Sequence, residues 1–309
     1  MSTAYLQIPV IIPAYEPGEN LIPFIDYLSE KGIQRIVVVD DGSGKAYESI
    51  FDEITRRENC IVLRHAVNLG KGRALKTAFN ECMNRFPEAA GVVTADSDGQ
   101  HTPEGILSCM QELSGHPDAL VLGCRDFDAS NVPARSSFGN KCTRRVFRYL
   151  LGITITDTQT GLRGIPRSFM EILMNVKGER FEFETNMLIE TKERQIPIRE
   201  VPIDTIYIEQ NQTSHFHPIR DSLRIYLVFT KFVFSSLSSS VVDLLLFGLF
   251  CNMLKGGGAL FGASYIVQAT VMARVLSAAY NFLINYKVVF RSRENMALTA
   301  AKYFLLAIC

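Results

Sequence analysis

The chain has 309 residues, 47% of them hydrophobic, and its 32 basic side chains balance 32 acidic ones. That length suits one large domain with an attachment, and the composition argues against a disordered chain and against a nucleic-acid binder, which would carry a basic footprint. Seven cysteines, at 60, 82, 109, 124, 142, 251 and 309, form no CxxC pair and no metal-ligand spacing with the five histidines, so reduced thiols in a cytosolic setting are expected and no disulfide. Met1 to Gln7 lacks a basic region followed by an apolar core and does not read as a signal peptide.

From the N-terminus, short β-branched runs alternate with helical stretches. The first strand is predicted at Ile8–Ile12, and Pro13-Ala14-Tyr15-Glu16 follows it before a helix over Glu19–Glu30. A second strand, Gln34–Val39, ends in Asp40-Asp41-Gly42-Ser43 and leads into a helix over Tyr47–Arg57. One carboxylate of that segment is suited to accept hydrogen bonds from a nucleobase or ribose, while Gly42 lets the backbone approach; a plain helix-entry turn uses the same residue types. A third strand, Cys60–Leu63, is followed by Asn68-Leu69-Gly70-Lys71-Gly72-Arg73, which resembles a phosphate-cradling loop at the start of a helix over Gly72–Arg85. It is not GxxxxGK[ST], so a P-loop is excluded.

The fourth strand, Gly91–Ala95, runs into Asp96-Ser97-Asp98-Gly99-Gln100. Alternation along an extended loop would send residues 96, 98 and 100 to one side, where two carboxylates and a carboxamide can share a hard cation, Mg²⁺ or Mn²⁺, with a ligand's phosphates. An Asp-rich turn ahead of the helix at Pro103–Leu113 is the structural alternative. A fifth strand is predicted at Ala119–Gly123. The alternation implies an α/β domain with a mostly parallel, Rossmann-like sheet covered on both faces, whose ligands sit at the carboxyl ends of the strands. The motif segments fall at those ends.

The series Pro13-Ala14-Tyr15-Glu16, Val39-Asp40-Asp41-Gly42-Ser43, Asn68-Leu69-Gly70-Lys71-Gly72, Asp96-Ser97-Asp98-Gly99-Gln100-His101 and Asp157 to Arg163 resembles glycosyltransferase family 2. Within it, the likeness is to the polyprenyl-phosphate branch typified by dolichol-phosphate mannose synthase, over about residues 8 to 217. The resemblance implies a GT-A fold, a nucleotide-sugar donor, a divalent cation on the DxD motif and inversion at the anomeric carbon. Carried over by motif, Asp96, Asp98 and Gln100 would hold the metal. Pro13, Tyr15, Glu16 and Asp41 would line the nucleoside pocket, with Lys71 near the phosphates. Ser97 and Gly99 stand at spacer positions that are more often apolar in the family.

Departing diphosphate charge needs stabilising, and a bound cation does this as a Lewis acid. Arg125, Arg135 and Arg163 are candidates to add to it and to receive the acceptor phosphate, with solvated surface arginine as the bland reading. Asp157, in Thr156-Asp157-Thr158-Gln159-Thr160-Gly161, is the candidate to act as base or to orient the acceptor, and an N-cap role is its structural alternative. A phosphate acceptor, mostly dianionic at neutral pH because its second pKa is about 6, needs no strong base. A processive polysaccharide synthase would carry a Gln-x-x-Arg-Trp motif, and the chain has no tryptophan. A sugar nucleotidyltransferase would show a Gly-Gly-x-Gly-Thr-Arg entry after its first strand, which is absent.

Phe232 to Leu254 then carries Asp243 as its only charge, and at about 1.5 Å per residue it is long enough to span a bilayer. A second apolar segment, Ala259 to Ile284, is interrupted by Arg274, and a third begins near Ala297. Arg220, Arg224 and Lys231 fall on the same side as Lys287, Arg291 and Arg293, against the lone Lys255 between them, so the catalytic domain is expected in the cytoplasm beside a multi-pass anchor in the cell membrane. Val241 to Phe247 and Tyr280 to Phe290 resemble the GtrA-like membrane domain, which usually has four spans; about two and a half are present. Asp243 and Arg274 are either a functional intramembrane pair or a structural salt bridge.

The expected organisation is a GT-A domain over 1–217, a juxtamembrane amphipathic helix over 218–231 and a GtrA-like transmembrane domain over 232–309. The expected activity is metal-dependent transfer of a sugar from a nucleotide diphosphate-sugar to polyprenyl phosphate. The alternative is a lipid-linked-sugar translocation or scaffold module with a weak or inactive transferase domain. No nucleic-acid partner is expected. Ser235, Ser236, Ser238, Ser239 and Ser240 allow close helix packing in the membrane and leave a homo-oligomer open.

Overall fold

The computed structural model describes residues 3–125, 152–204, 218–255 and 264–289, with isolated positions at 144, 147, 148, 296, 299 and 300. Arg135 and most of the third apolar segment lie outside the described residues. The chain divides into two compact units, Met1–Asp221 and Ser222–Cys309.

The first unit is built on one seven-stranded sheet. Its strands are β1 (Val10–Ala14), β2 (Ile36–Asp40), β3 (Cys60–Arg64), β4 (Gly91–Thr94), β5 (Leu120–Arg125), β6 (Arg163–Pro166) and β7 (Ile198–Ile203). They lie in the order β3-β2-β1-β4-β6-β5-β7, and β6 alone runs antiparallel to its neighbours. Val10, Ile11 and Ile12, with Ile36 to Val39, are fully buried, as expected of parallel strands covered on both faces. Helices α1 (Leu21–Glu30), α2 (Glu48–Thr55), α3 (Lys71–Arg85), α4 (Pro103–Gly115), α5 (Arg167–Leu173) and α6 (Glu182–Arg194) belong to this unit.

Each long helix buries a stripe at helical spacing: Leu21, Phe24, Ile25 and Leu28 from α1, and Ile106, Cys109, Met110 and Leu113 from α4. They join Val10, Ile12, Ile36 and Val38 in one core. The start of α4 is fixed by Thr102, whose hydroxyl accepts from Gly105 N at 3.2 Å, with Pro103 behind it.

Order along the sheet reverses at β1, because β2 and β3 extend to one side and β4 to the other. Such a switch leaves a crevice at the strands' carboxyl ends. Pro13 widens it. Ile11 O accepts from Ala95 N, so two residues on Pro13 faces the same edge, but the β1–β4 ladder has ended at Ile11↔Thr94. A residue without an N–H costs no ladder bond there.

The helix α7 (Pro218–Leu254) starts at the end of the first unit and runs into the second, which also contains α8 (Tyr265–Ile284). The expected juxtamembrane helix and first span fall within one helix, Pro218–Leu254. Both helices have the length and composition to cross a bilayer, and only 6% and 22% of their apolar stretches are buried, unlike a soluble core helix. Phe234, Leu244, Leu245 and Met253 are each about 70% exposed. Between the two helices runs a polar seam. Ser235 Oγ lies within reach of Asn281 Oδ1 (3.2 Å) and Asn285 Oδ1 (3.0 Å), Ser239 donates to Ser277 O (3.2 Å), and Ser277 donates to Asp243 Oδ1 (2.8 Å). Arg274 Nη1 is 3.5 Å from Asp243 Oδ2, which favours the salt-bridge reading of that pair. Ser235 and Ser239 therefore join α7 to α8 within one chain.

Candidate active site

Three loops converge at the carboxyl ends of β1, β2 and β4. After β1, Glu16 takes φ +47 and its N–H donates to Ser43 Oγ at 2.9 Å, while Ser43 N donates to Asp40 Oδ1 at 2.9 Å. These bonds tie Tyr15 and Glu16 to the loop after β2. The hydrogen bond and charge of Glu16, with burial and the charge of Asp41, hold the Tyr15 phenol above its ordinary range. Pro13, Tyr15 and Glu16 stay partly exposed, as a ligand pocket requires.

Asp41 lies beneath the loop that follows β3. Its side chain is almost fully buried, its Oδ1 accepts from Leu69 N (3.0 Å) and faces His65 Nδ1 (2.7 Å), and its Oδ2 accepts from Gly70 N (2.7 Å). The carboxylate braces the 68–72 loop from beneath. Gly42, at φ +75, lets the chain turn there, because a Cβ would strike the backbone of Val67 and Asn68.

The braced loop delivers Lys71 to the centre. Its ammonium contacts Asp96 Oδ1 at 2.7 Å and Glu184 Oε2 at 3.0 Å. Burial opposes that charge, yet the two carboxylates outweigh it and hold the amine above its usual pKa. Burial likewise pushes the Asp96 carboxyl up, but Lys71 and His101 hold it well below the carboxylate range. Asp98 goes the other way: burial and then the charge of Asp96 raise its pKa.

The 96–100 segment is a turn rather than an extended strand. Gln100 N donates to Asp98 Oδ1 at 3.0 Å and Gly99 has φ +74, so local turn chemistry, not alternation, sets where these side chains point. Gly161 packs against the other side of Asp96, and a Cβ there would land on its carboxylate.

Arg125, Arg163 and Asp157 each pair with neighbouring groups of the fold. Asp157, fully buried, is held by Arg125 through Nε–Oδ2 (2.7 Å) and Nη2–Oδ1 (3.1 Å), and accepts from Gln159 N (3.0 Å). Arg163 is 2% exposed; its Nε donates to Thr160 O (2.9 Å) and its Nη1 to Glu184 O (2.8 Å). It fastens the 157–163 loop to α6. Glu184 was missed by sequence reasoning, since it sits in a helix with no motif and meets Lys71 only through the fold.

The residues present fit a divalent cation. Among the described residues no three His, Cys, Asp or Glu side chains form a closed metal cage. Mg²⁺, however, is commonly held by one or two carboxylates with waters and substrate phosphates completing its shell. Asp96 and Asp98, with Gln100 two residues on, supply that open kind of set.

A family model, glycosyl transferase family 2, matches residues 10–173. The chain belongs to glycosyltransferase family 2. Its relatives in that family include the UDP-N-acetylglucosamine–dolichyl-phosphate N-acetylglucosaminyltransferase of Methanococcus voltae, 30% identical over 65% of this chain and 86% of that protein. The polyprenol monophosphomannose synthase of Mycolicibacterium smegmatis is 28% identical over 63% of this chain and 75% of that one. Among solved structures, glucosyl-3-phosphoglycerate synthase from Mycobacterium tuberculosis, in complex with Mn²⁺, uridine diphosphate and phosphoglyceric acid, superposes with a TM-score of 0.55 at 18% identity. That match covers 74% of this chain and 78% of that one. The last likeness establishes a shared fold. The protein is therefore a glycosyltransferase with a GT-A-like α/β domain.

Proposed function

We propose that this glycosyltransferase moves a sugar, with inversion and with a divalent cation, from a nucleotide diphosphate-sugar to polyprenyl phosphate at the cytoplasmic face of a membrane. The observation that carries the reading is the Asp96–Asp98 pair at the carboxyl end of β4, beside Lys71, in a family 2 chain that continues into two exposed apolar helices. Relatives named for dolichyl-phosphate or polyprenol acceptors support the acceptor class.

A Mg²⁺ or Mn²⁺ ion held by Asp96, Asp98 and Gln100 would offset the charge that grows on the leaving diphosphate. The chain's own residues do the rest. Lys71 brings a fixed ammonium to the same place, and such pre-set charge needs no rearrangement as the bond breaks. Tyr15 and Glu16 shape the nucleoside side of the crevice, while Asp41 keeps Lys71 in position by holding Leu69 and Gly70. The acceptor phosphate attacks as its dianion, and Arg135 is the residue assigned to receive it. Arg125 holds Asp157, and Arg163 holds the 157–163 loop against α6.

The helices α7 and α8 would sit in the bilayer as parts of a GtrA-like membrane domain over 232–309. The basic clusters of Arg220, Arg224 and Lys231 and of Lys287, Arg291 and Arg293 would lie in the cytoplasm. Incubating the purified protein with a panel of labelled nucleotide sugars, polyprenyl phosphate and Mg²⁺ or Mn²⁺ tests the activity. One donor should yield a lipid-soluble, metal-dependent product. Transfer from no donor, or transfer undiminished by chelation, would contradict the proposal.

A further inference from the structure

The loop that carries Asp96 and Asp98 ends in a histidine with no evident purpose in the fold. The His101 side chain is 6% exposed, and among the described residues neither ring nitrogen has a hydrogen-bond partner. Buried polar atoms without partners are rare because each has given up its water, and a Leu or Phe would fill the same space without that loss. The ring is also aimed. Its Nε2 lies 3.5 Å from Asp96 Oδ2, a contact longer than the 2.9–3.0 Å usual for an N–H···O bond.

Asp96 is enclosed on three sides. Lys71 takes Oδ1 at 2.7 Å, His101 faces Oδ2, and Gly161 leaves no room beyond the carboxylate. Lys71 is itself shared with Glu184. His101 stands on fixed backbone, directly before the Thr102 cap and Pro103 at the start of α4. If one Asp96 oxygen turns toward a cation, the other must be held against rotation, and a small turn of the carboxylate brings it within bonding distance of Nε2. Hydrogen-bond donors behind a metal-binding carboxylate fix its orientation in this way.

We propose that His101 is a positioning residue that donates from Nε2 to Asp96 Oδ2 when the site takes up a divalent cation and the nucleotide diphosphate, setting the affinity of the site for that cation. This deepens the metal-dependent reading above and rests on it.

The test uses full-length protein in detergent with saturating uridine or guanosine diphosphate, titrated with Mn²⁺ while free Mn²⁺ is read by electron paramagnetic resonance. His101→Ala should weaken Mn²⁺ binding by roughly 10-fold or more, the range found when partners behind metal ligands are removed. His101→Gln, whose amide nitrogen reaches about as far as Nε2, should stay within about 3-fold of wild type, since it restores the donor. Both variants should give the far-ultraviolet circular dichroism of the wild type. Unchanged Mn²⁺ affinity in His101→Ala would overturn the proposal, as would equal losses in Ala and Gln variants that also melt earlier, the result for a space-filling residue. Wild-type protein that takes up no Mn²⁺ with either nucleotide would overturn the metal reading, and this proposal with it.

Discussion

Replacing Lys71 with methionine keeps the length of the side chain and removes the charge between Asp96 and Glu184. At 2.7 and 3.0 Å, each contact is worth about 6 kcal/mol before desolvation in an effective dielectric near 20. Most of that is cancelled by the cost of taking the three groups out of water. What remains is the penalty for stranding two carboxylates, about 3–5 kcal/mol for a fully buried pair. Asp96 keeps 31% of its side chain exposed, so about 2–3 kcal/mol is expected here. For a domain of this size that is a fall in Tm of roughly 5–10 °C, readable by circular dichroism of the detergent-solubilised protein. Adding Glu184→Gln to Lys71→Met should recover part of the loss, because one stranded charge is gone. Mn²⁺ should raise the Tm of Lys71→Met more than that of wild type. A single variant that melts within 1 °C of wild type, or a double variant less stable than the single, would refute the reasoning.

Two further outcomes follow from the same geometry. Asp157→Asn should lower the Tm by several degrees, since Arg125 loses its bidentate partner, and the residual transfer should keep the wild-type pH profile; a normal melt with a shifted profile would restore Asp157 as the base. Burial pushes the Cys60 thiol up to about 11 and those of Cys82, Cys109 and Cys124 up to about 12, so at pH 8 each is thiolate to roughly one part in a thousand or less. Iodoacetamide followed by mass spectrometry should leave all four unmodified in the folded protein and label them once it is denatured; rapid native labelling would contradict their burial.

Strands β1 to β5 are legible because runs such as Ile36 to Val39 are β-branched and bounded by turn residues. The strand β6 is not: Arg163-Gly164-Ile165-Pro166 holds a charge, a glycine and a proline in four residues, and only its place between β4 and β5 makes it a strand. The strand β7 is a poor signal for the opposite reason, since its outer residues Arg199 and Glu200 are exposed on a sheet edge. At the site, motif spacing located Asp96, Asp98 and Lys71 on one sheet edge. It could not assign their partners. Asp41 braces Leu69 and Gly70, Asp157 is clamped by Arg125, and Arg163 is buried against α6, all through contacts that tertiary folding alone creates. The chemical type of a residue was readable from sequence, and whether its charge faces solvent or a partner was not.

The central claim is that Asp98 helps seat a cation for transfer to a lipid phosphate. Initial rates of sugar transfer to polyprenyl phosphate, compared between wild type and Asp98→Asn across a Mn²⁺ titration, test it most directly. The near-isosteric variant should fold normally and lose transfer by about 10²-fold or more at every Mn²⁺ concentration, the scale of a lost electrostatic stabiliser. Near-wild-type rates with an unchanged metal requirement would contradict the account.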